Sequence, residues 1–562
     1  MYDLTAGFSA AVQHHRRTTC RFVVQMLLAV VCFAYLPTVH AQVRIRIPNS
    51  PVASVTELRE LLDAGMRLEQ GRKWAEALTH YEDALQHFPE RSEIEQRLSV
   101  SRIHFDLERR YTDSSYVQSL NSLSERESLD LYNELLLKIY THYVANPDWK
   151  NLVRRGTNNL DIALTDQLFI NRHLPYATPE RIGECRQELH RFLAWRDLGT
   201  RQESRDAVGE AAQLVHQRLG LHPTVTVMEY ACGAVSSLDN YSAYLTPAQL
   251  DDVYSQIEGN FVGLGIELKA SKGHLLIVNV LEGSPAHLGG VRPGDQIVKV
   301  DGQSTRDIST DKAADMLKGT EGTVVDLVVV GSDQQGRSLQ LERKRVEVPS
   351  VEDVKMLDAQ AGIAYMQLTS FQKTTSRDVD AVLWKLHRQG MQSLIIDVRG
   401  NPGGLLTAAV EVADKFVQDG TIVSTRGRSP REDYDYKAHQ VGTWRVPLVV
   451  LVDGDSASAS EIFAAAIYDH RRGTIVGQQS YGKGSVQGIF PFNFSRSGIR
   501  LTTAKFYTPT GRPISESGVT PHVVVHLRDK LSVDGTVIPG NEKQADPVIE
   551  AAIKAARRVA KL

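Results

Sequence analysis

Val452-Asp-Gly-Asp-Ser-Ala-Ser-Ala-Ser-Glu-Ile-Phe-Ala-Ala-Ala-Ile467 is the stretch from which the rest of the chain is read, together with Gln478-Gln-Ser-Tyr-Gly-Lys-Gly-Ser-Val-Gln487 a short way on. The apolar run Val446 to Val452 reads as a strand, Asp453-Gly454-Asp455 as a tight turn, and the small residues that follow as the opening of a helix. The serines at that opening sit where the positive end of a helix dipole favours a developing anion. The glycine-flanked Lys483 supplies a base for one of those hydroxyls, provided its ammonium gives up its proton. Ser456, Ser458 and Ser460 all stand at the mouth of the same helix, and spacing does not choose among them.

A second stretch complements the first. Ser393-Leu-Ile-Ile-Asp-Val398 is a continuous apolar strand that ends at Arg399-Gly-Asn-Pro-Gly-Gly-Leu-Leu406, with a helix from Thr407 to Phe416. Glycines between a buried strand and a helix N-terminus leave N–H groups free to face an anion. A phosphate cradle wants a lysine and a hydroxyl after its glycines, whereas Gly404 is followed by two leucines, which argues against a nucleotide site.

The composition is that of ordinary globular material: 562 residues, 42% hydrophobic and 23% charged, enough for about three or four domains. Sixty-four basic against sixty-seven acidic side chains leave a net charge of −3, so the total favours neither nucleic acid nor an anionic membrane. Arg16, Arg17 and Arg21 precede the apolar run Phe22 to Leu36 and the small-residue site Val39-His-Ala41, the pattern of a cleaved export signal over 1–41. An uncleaved anchor is the alternative; once the signal is removed, no membrane span is expected. Removal leaves Cys185 and Cys232, which are enough for one bridge but not for a disulfide framework or a four-ligand metal site. They are expected as buried, inert thiols, with no metal and no cofactor.

After a linker (42–57), a helical region is expected over 58–255. Between Leu61 and Pro89 the spacing of Ala64-Gly65, Trp74, Ala77-Leu78, Tyr81, Ala84-Leu85 and Phe88 resembles one tetratricopeptide unit, here placed near 61–89. One such unit cannot bury its own face, so it must pack on the following helices or on a partner. Leu129, Leu131, Tyr132, Leu135, Leu136, Ile139 and Tyr140 recur at helical spacing and are expected to face a core.

From Gly259 the pattern changes to short strands with glycine turns: Gly259-Asn-Phe-Val-Gly-Leu-Gly-Ile-Glu-Leu268, Leu275 to Val280, Ser284-Pro-Ala286, Val291-Arg-Pro-Gly-Asp to Gly302, and a helix capped by Ser309 or Thr310. This order resembles a PDZ domain of the bacterial type, assigned to 257–346. Backbone N–H groups around Val262, Gly263, Leu264 and Gly265 suit a peptide carboxylate, and the strand after them suits addition of an extended peptide.

With Ser236-Ser-Leu-Asp-Asn-Tyr-Ser-Ala-Tyr-Leu-Thr-Pro247 and Leu501-Thr-Thr-Ala-Lys-Phe-Tyr-Thr-Pro-Thr-Gly-Arg512, six ordered motifs over 225–528 resemble the carboxyl-terminal processing peptidases, also called tail-specific proteases. The resemblance implies an α+β multidomain chain: a TPR-like helical region, a PDZ β-barrel-like domain, and an α/β protease core related to the ClpP/crotonase fold over 350–528. A C-terminal tail and helix follow over 529–562. It aligns the nucleophile with Ser458, the base with Lys483 and an orienting glutamine with Gln487. The N–H of Ala459 is then one oxyanion donor and that of Gly403 or Gly404 the other. Asp469 also matches a family position, although an aspartate there equally suits anchoring of its helix through Arg471 or Arg472. Burial must lower the Lys483 pKa for it to act as a base.

Two departures from the family pattern are Pro521-His522, where an aspartate is usual, and Asp239-Asn-Tyr-Ser242, in place of a proline-histidine form. A Ser-His-Asp triad is the rival chemistry, with His439, His470 and His522 as candidates, but no G-x-S-x-G elbow precedes Ser458. Ser309-Thr-Asp-Lys312 has S-x-x-K spacing, which a helix cap explains. The expectation is an exported, periplasmic or cell-envelope endopeptidase that takes protein substrates by their C-terminal tails, with a regulator or second protomer at the helical region. The alternative is a catalytically degenerate PDZ/TPR adaptor. The C-terminal helix begun by Asp546-Pro547 is basic and amphipathic, and is expected to pack on the catalytic domain or a second protomer rather than on a membrane.

Overall fold

The computed structural model describes residues 55–559 except 272–273, 307–312, 314–315, 318, 332–334, 440–441, 516 and 527–545. The expected signal, most of the linker, the Ser309/Thr310 cap and the tail up to residue 545 lie outside the described residues.

Ten helices run from Val55–Gln70 to Pro223–Ser236 among the described residues. Their starts are set by local chemistry: Ser124 with Glu127 and Thr200 with Glu203 form capping boxes, and Pro179 and Pro223 stand in first turns. The TPR-like hairpin forms from Val55–Gln70 and Trp74–His87. A Cβ at Gly65 would fall 2.3 Å from the Tyr81 ring, so the small residue lets the helices close on each other. Ala77, Tyr81, Ala84, Phe88 and Ile94 are buried in that hairpin, and the helix Ser92–Thr112 covers its open face. Stacking of Trp74 on His104, and bonds from Arg72 and His104 to Asp166, tie it to the bundle. In the helix Glu125–His142, Leu131, Tyr132, Leu135, Leu136 and Ile139 are buried as their spacing requires, whereas Tyr140 is 56% exposed. Its ring lies at the edge of the apolar stripe, beside Trp149.

The half of the chain expected to be the protease core forms two sheets. The first has the order Val351–Asp358, Ile363–Leu368, Ser393–Asp397, Leu448–Val452, Gly473–Gly477, Val523–Val524; all neighbours are parallel except the first pair. Its central strands are buried throughout, as parallel strands covered on both faces must be. One face carries the helices Thr375–Arg388, Leu406–Asp414 and Ala459–Asp469, with Phe371, Phe416 and Phe463 in the core between. The other face is covered by the C-terminal helix Pro547–Val559, whose Val548, Ala552 and Ala556 pack on Ile395, Val449 and Leu451. Its apolar side is therefore spent on the catalytic sheet.

The second sheet centres on the long strand Gly498–Tyr507, paired with Ala243–Leu245, Thr421–Gly427 and Ser485–Pro491. Tyr244, Phe492, Ile499 and Leu501 belong to the same core as the helical region. Backbone bonds continue the joint: Val144 N–H donates to the Thr502 carbonyl and Arg428 donates to that of Tyr143. Helical region and catalytic sheet therefore share one apolar interior, and the segment expected to be helical up to residue 255 contributes a strand to the catalytic half.

Between them the chain forms a small barrel-like unit. Its sheet has the order Ile266–Ser271, His274–Val280, Gln296–Val300, Val324–Val330, Gly336–Glu342, and Asn260–Gly263 pairs separately with Lys344–Glu347. Among the described residues Ile266–Ser271 is an edge strand, with one side unpaired.

Candidate active site

The helix Ala459–Asp469 follows the buried strand Leu448–Val452 through a six-residue turn region stitched by side chains. Asp453 Oδ1 accepts from the N–H groups of Ser456 at 3.0 Å and Asp455 at 3.1 Å, and from Gly400 N–H at 3.0 Å across the sheet. Ser456 Oγ donates to the Val398 carbonyl at 2.8 Å and Ser460 Oγ to that of Asn401 at 2.9 Å; both serines are fully buried. Those two hydroxyls clamp the turn to the glycine loop. Ser458 differs: it is half-buried, and unlike its two neighbours its hydroxyl donates to no carbonyl among the described residues. Its backbone is at φ 56, ψ −111, a region that costs a non-glycine residue energy and is held here by the surrounding bonds. The tertiary structure thus separates three serines that spacing leaves equivalent.

Glu461, one turn into the helix, is the hub of the site, and the motif reading passed over it. Its carboxylate is fully buried and accepts four hydrogen bonds. Oε1 takes Ser480 Oγ and Gly482 N–H, both at 2.6 Å; Oε2 takes Ser458 N–H at 2.8 Å and Lys483 N–H at 2.9 Å. The backbones of Ser458 and Lys483 therefore share one oxygen atom. Burial pushes this carboxyl above its usual range, against the pull of its four donors. The spacing Ser458-x-x-Glu461 at a helix start is the capping-box signature, and it was the available signal.

Lys483 is half-buried, and its amine lies 5.1 Å from the centroid of the Tyr241 ring, with no hydrogen bond to Ser458 Oγ. Burial, then the neighbouring Arg500 charge, lowers its pKa to about 8, with Glu461 opposing. Gln487 stands on the strand Ser485–Pro491 and donates to Ser485 Oγ at 2.9 Å, so its hydrogen bond stays within its own strand.

The glycine loop lies against the turn that carries Ser458: a Cβ at Gly403 would fall 2.9 Å from Ser458 Cβ and 2.7 Å from the Ala457 carbonyl. Gly403 N–H is committed to Asn401 Oδ1 at 2.9 Å, while the N–H groups of Gly404 and Ala459 have no partner among the described residues. Of the two glycine donors left open by the sequence, only Gly404 has its N–H unspent. The loop is braced from below by Arg399, which bonds both oxygens of Asp397 and also Asp546 at 2.8 Å. Burial works against that guanidinium's charge, but the two carboxylates hold its pKa above the usual range.

Asp469 is nearly buried at the far end of the helix and accepts from Thr510 N–H, Thr510 Oγ1 and Arg512. It anchors the 508–512 turn, and its partner is neither Arg471 nor Arg472. The three candidate histidines are bonded elsewhere: His470 to the Thr421 carbonyl, His439 to Asp414, and His522 to Ile475 N–H. His522, where an aspartate was expected, also stacks on Tyr468. Cys185 and Cys232 are unbridged and buried, and burial pushes their thiols up to about 11 and about 12.

In the small barrel, Gly265 has φ +75 and a Cβ there would strike Ser284, so the turn requires glycine. The carbonyls of Leu264 and Gly265 accept from Ala286 and Leu281. Val262 and Gly263 end a strand paired with Arg345 and Lys344. Among the described residues no cluster of His, Cys, Asp and Glu suits a metal, and no helix is long and apolar enough to cross a membrane.

Comparison with known proteins bears on this geometry. Residues 362–525 match the model of peptidase family S41, and residues 276–331 match a PDZ domain. A carboxy-terminal-processing protease of Bartonella bacilliformis is 38% identical over 300 residues, which is 52% of this chain and 68% of that protein. A carboxyl-terminal-processing protease of Synechocystis sp. is 33% identical over 297 residues, 52% of this chain and 69% of that one. The carboxy-terminal processing protease CtpA of Bacillus subtilis is 32% identical over 299 residues, covering 53% and 63%. A solved photosystem II D1 C-terminal processing protease aligns with 25% identity over 71% of this chain and 93% of its own, at a TM-score of 0.38. The S41 match falls on the strands and turns that carry the serine, the lysine and the glycine loop, the PDZ match on the small barrel before them, and the chain belongs to the carboxy-terminal-processing proteases of peptidase family S41.

Proposed function

We propose that this protein is an exported serine endopeptidase that cuts protein substrates presented by their C-terminal tails, with Ser458 as nucleophile and Lys483 as general base. The observation that carries this reading is the position of Ser458: a hydroxyl proton with no acceptor among the described residues, on a strained N-cap, beside unspent N–H groups of Ala459 and Gly404. Attack of Oγ on a scissile carbonyl puts the tetrahedral oxygen in reach of those donors, and the helix dipole favours the same charge. Lys483, with its pKa lowered to about 8, takes the hydroxyl proton and returns it to the leaving amine; water then hydrolyses the acyl-enzyme. Its amine and the hydroxyl are not bonded to each other in the absence of substrate, and such bonds commonly tighten only when substrate binds.

Substrate capture is assigned to the PDZ unit. The turn Val262 to Gly265 faces a peptide carboxylate, and the edge strand Ile266–Ser271 accepts an added strand. Export rests on residues 1–41 of the sequence. Asp469 is given a structural role, and Gln487 is assigned to the strand beside the base. The test is cleavage of an unstructured protein with an apolar C-terminus by purified protein. Ser458→Ala and Lys483→Ala abolish cleavage while tail binding is kept; retained cleavage in either variant refutes the dyad. Binding without cleavage by the parent protein would favour the adaptor.

A further inference from the structure

We infer that Tyr241 and Arg500 are positioning residues for Lys483: the tyrosine ring closes the amine off from water, and the guanidinium holds a like charge beside it, so that the amine stays uncharged. The inference rests on the assignment of Lys483 as base. Neither residue lies near the serine and lysine motifs in sequence, and Tyr241 belongs to the turn where the chain departs from the family pattern.

That turn follows the last helix of the helical region, Pro223–Ser236. Asp239 shapes it by accepting from the N–H groups of Tyr241 and Ser242, both at 2.7 Å, and from Ser242 Oγ at 3.1 Å. Arg102, on the helix Ser92–Thr112, donates to Asn240 Oδ1 at 2.7 Å, and Ser242 Oγ accepts from Thr502 N–H. The turn is thus gripped from the helical side and from the catalytic sheet, and its Tyr241 ring faces the Lys483 amine at 5.1 Å.

Arg500 lies on the strand Gly498–Tyr507, between Ala243 and Ile489 on the neighbouring strands. Its Nε donates to the Tyr241 carbonyl at 2.8 Å, and no ion pair involving Arg500 forms among the described residues. Asp239, the acid it feels, is spent on its own turn, and Arg109 faces it as a second cation. The groups around the amine are therefore Glu461 from the helix Ala459–Asp469, Arg500 from the sheet and Tyr241 from the helical side, with the exposed Tyr481 beside Tyr241. Glu461 favours the ammonium, but its four hydrogen bonds already commit its charge; Arg500, unpaired, opposes it. Burial is the larger cause of the depressed pKa and Arg500 the next.

The experiment is the pH dependence of kcat/KM for a quenched-fluorescent peptide, from about pH 6 to about pH 10, with the full chain. A base must be neutral, so activity rises with pH through its pKa. Arg500→Gln is expected to move that inflection upward by about one pH unit and to recover activity on the alkaline plateau, while Arg500→Lys leaves the inflection in place. Tyr241→Ala removes a ring face that favours the ammonium and also the burial that disfavours it; burial is the largest cause of the depressed value, so the inflection moves upward, whereas Tyr241→Phe keeps both effects and leaves it in place. Should Arg500→Gln fail to fold, Tyr241→Ala carries the test alone, since the carbonyl that Arg500 binds is retained. An inflection unmoved to within about 0.3 units in a folded Arg500→Gln or Tyr241→Ala variant overturns the inference. Ser458→Ala runs in parallel: if it still cleaves, the dyad falls and this inference with it, whereas an inactive Ser458→Ala beside an unmoved inflection refutes the inference alone.

Discussion

Replacing Glu461 by glutamine tests whether one buried carboxylate holds nucleophile and base in register. Its two oxygens accept two donors each, so a carboxamide of the same shape has one oxygen too few. Facing Ser458 and Lys483 with the NH2 group would set it against two N–H groups, so the amide turns the other way. Ser480 Oγ, which already accepts Val519 N–H at 2.7 Å, can rotate to tolerate the new donor. Gly482 N–H cannot, and one buried donor is left without an acceptor at a cost of about 1–3 kcal/mol. If the loop relieves that cost by moving Gly482 and Lys483 away from Ser458, the same energy must be returned in the transition state. It then corresponds to a loss of about 5- to 150-fold in kcat. KM should stay within about twofold, because the tail-binding unit is untouched. The assay is steady-state cleavage of a quenched-fluorescent peptide, with a thermal melt to show that the variant is folded. A folded Glu461→Gln protein with kcat within about twofold of the parent refutes the reasoning, as does a change confined to KM.

Cleavage by the parent protein should rise with pH through about 8, the lowered Lys483 value, and level off above it; a carboxylate or imidazole base would instead give an inflection below neutrality. Gly403→Ala should lose more than about tenfold in kcat. Its φ of +107 alone costs an alanine about 1–2 kcal/mol, and the new Cβ would press on the Ala457 carbonyl and on Ser458 Cβ, shifting the nucleophile; turnover and a thermal melt check it. Glu229→Ala should lower stability by about 3–5 kcal/mol, read as the urea midpoint, because it strands Arg110 in a buried site now shared by Arg110, Tyr111 and Asn159.

Much of the fold was legible because local patterns and burial agree. The apolar run Leu448–Val452 and the apolar centre of Ser393–Asp397 fit central parallel strands, and the small residues of the first hairpin fit a close helix crossing. The site was legible as motifs and less so as roles. Which of Ser456, Ser458 and Ser460 keeps its hydroxyl proton free depends on carbonyls of the 398–401 loop, far away in sequence. Whether Gly403 or Gly404 offers its N–H depends on where the Asn401 side chain points. Asp469 found its cation at Arg512 and not at the adjacent arginines, because the 508–512 turn folds back onto the helix end. Tyr241 lies in a motif that marked the family resemblance, but nothing in that motif announces a contact with Lys483, 242 positions away. Tyr140 fits the apolar spacing yet points outward, since periodicity gives a face and not its width.

The brace beneath the glycine loop bears on the order in which the chain is made. Arg399 and Asp546 are 147 positions apart, and Asp546 also caps the helix Pro547–Val559 that covers the sheet. During synthesis on the ribosome the serine, the lysine and both glycines emerge well before that acid. A nascent chain therefore carries Ser458, Lys483, Gly403 and Gly404 while the Arg399 guanidinium still lacks its second carboxylate and the sheet its outer cover. The brace of the glycine loop and the outer cover of the sheet therefore wait for residues 546–559, which are made after every strand of the sheet that they complete.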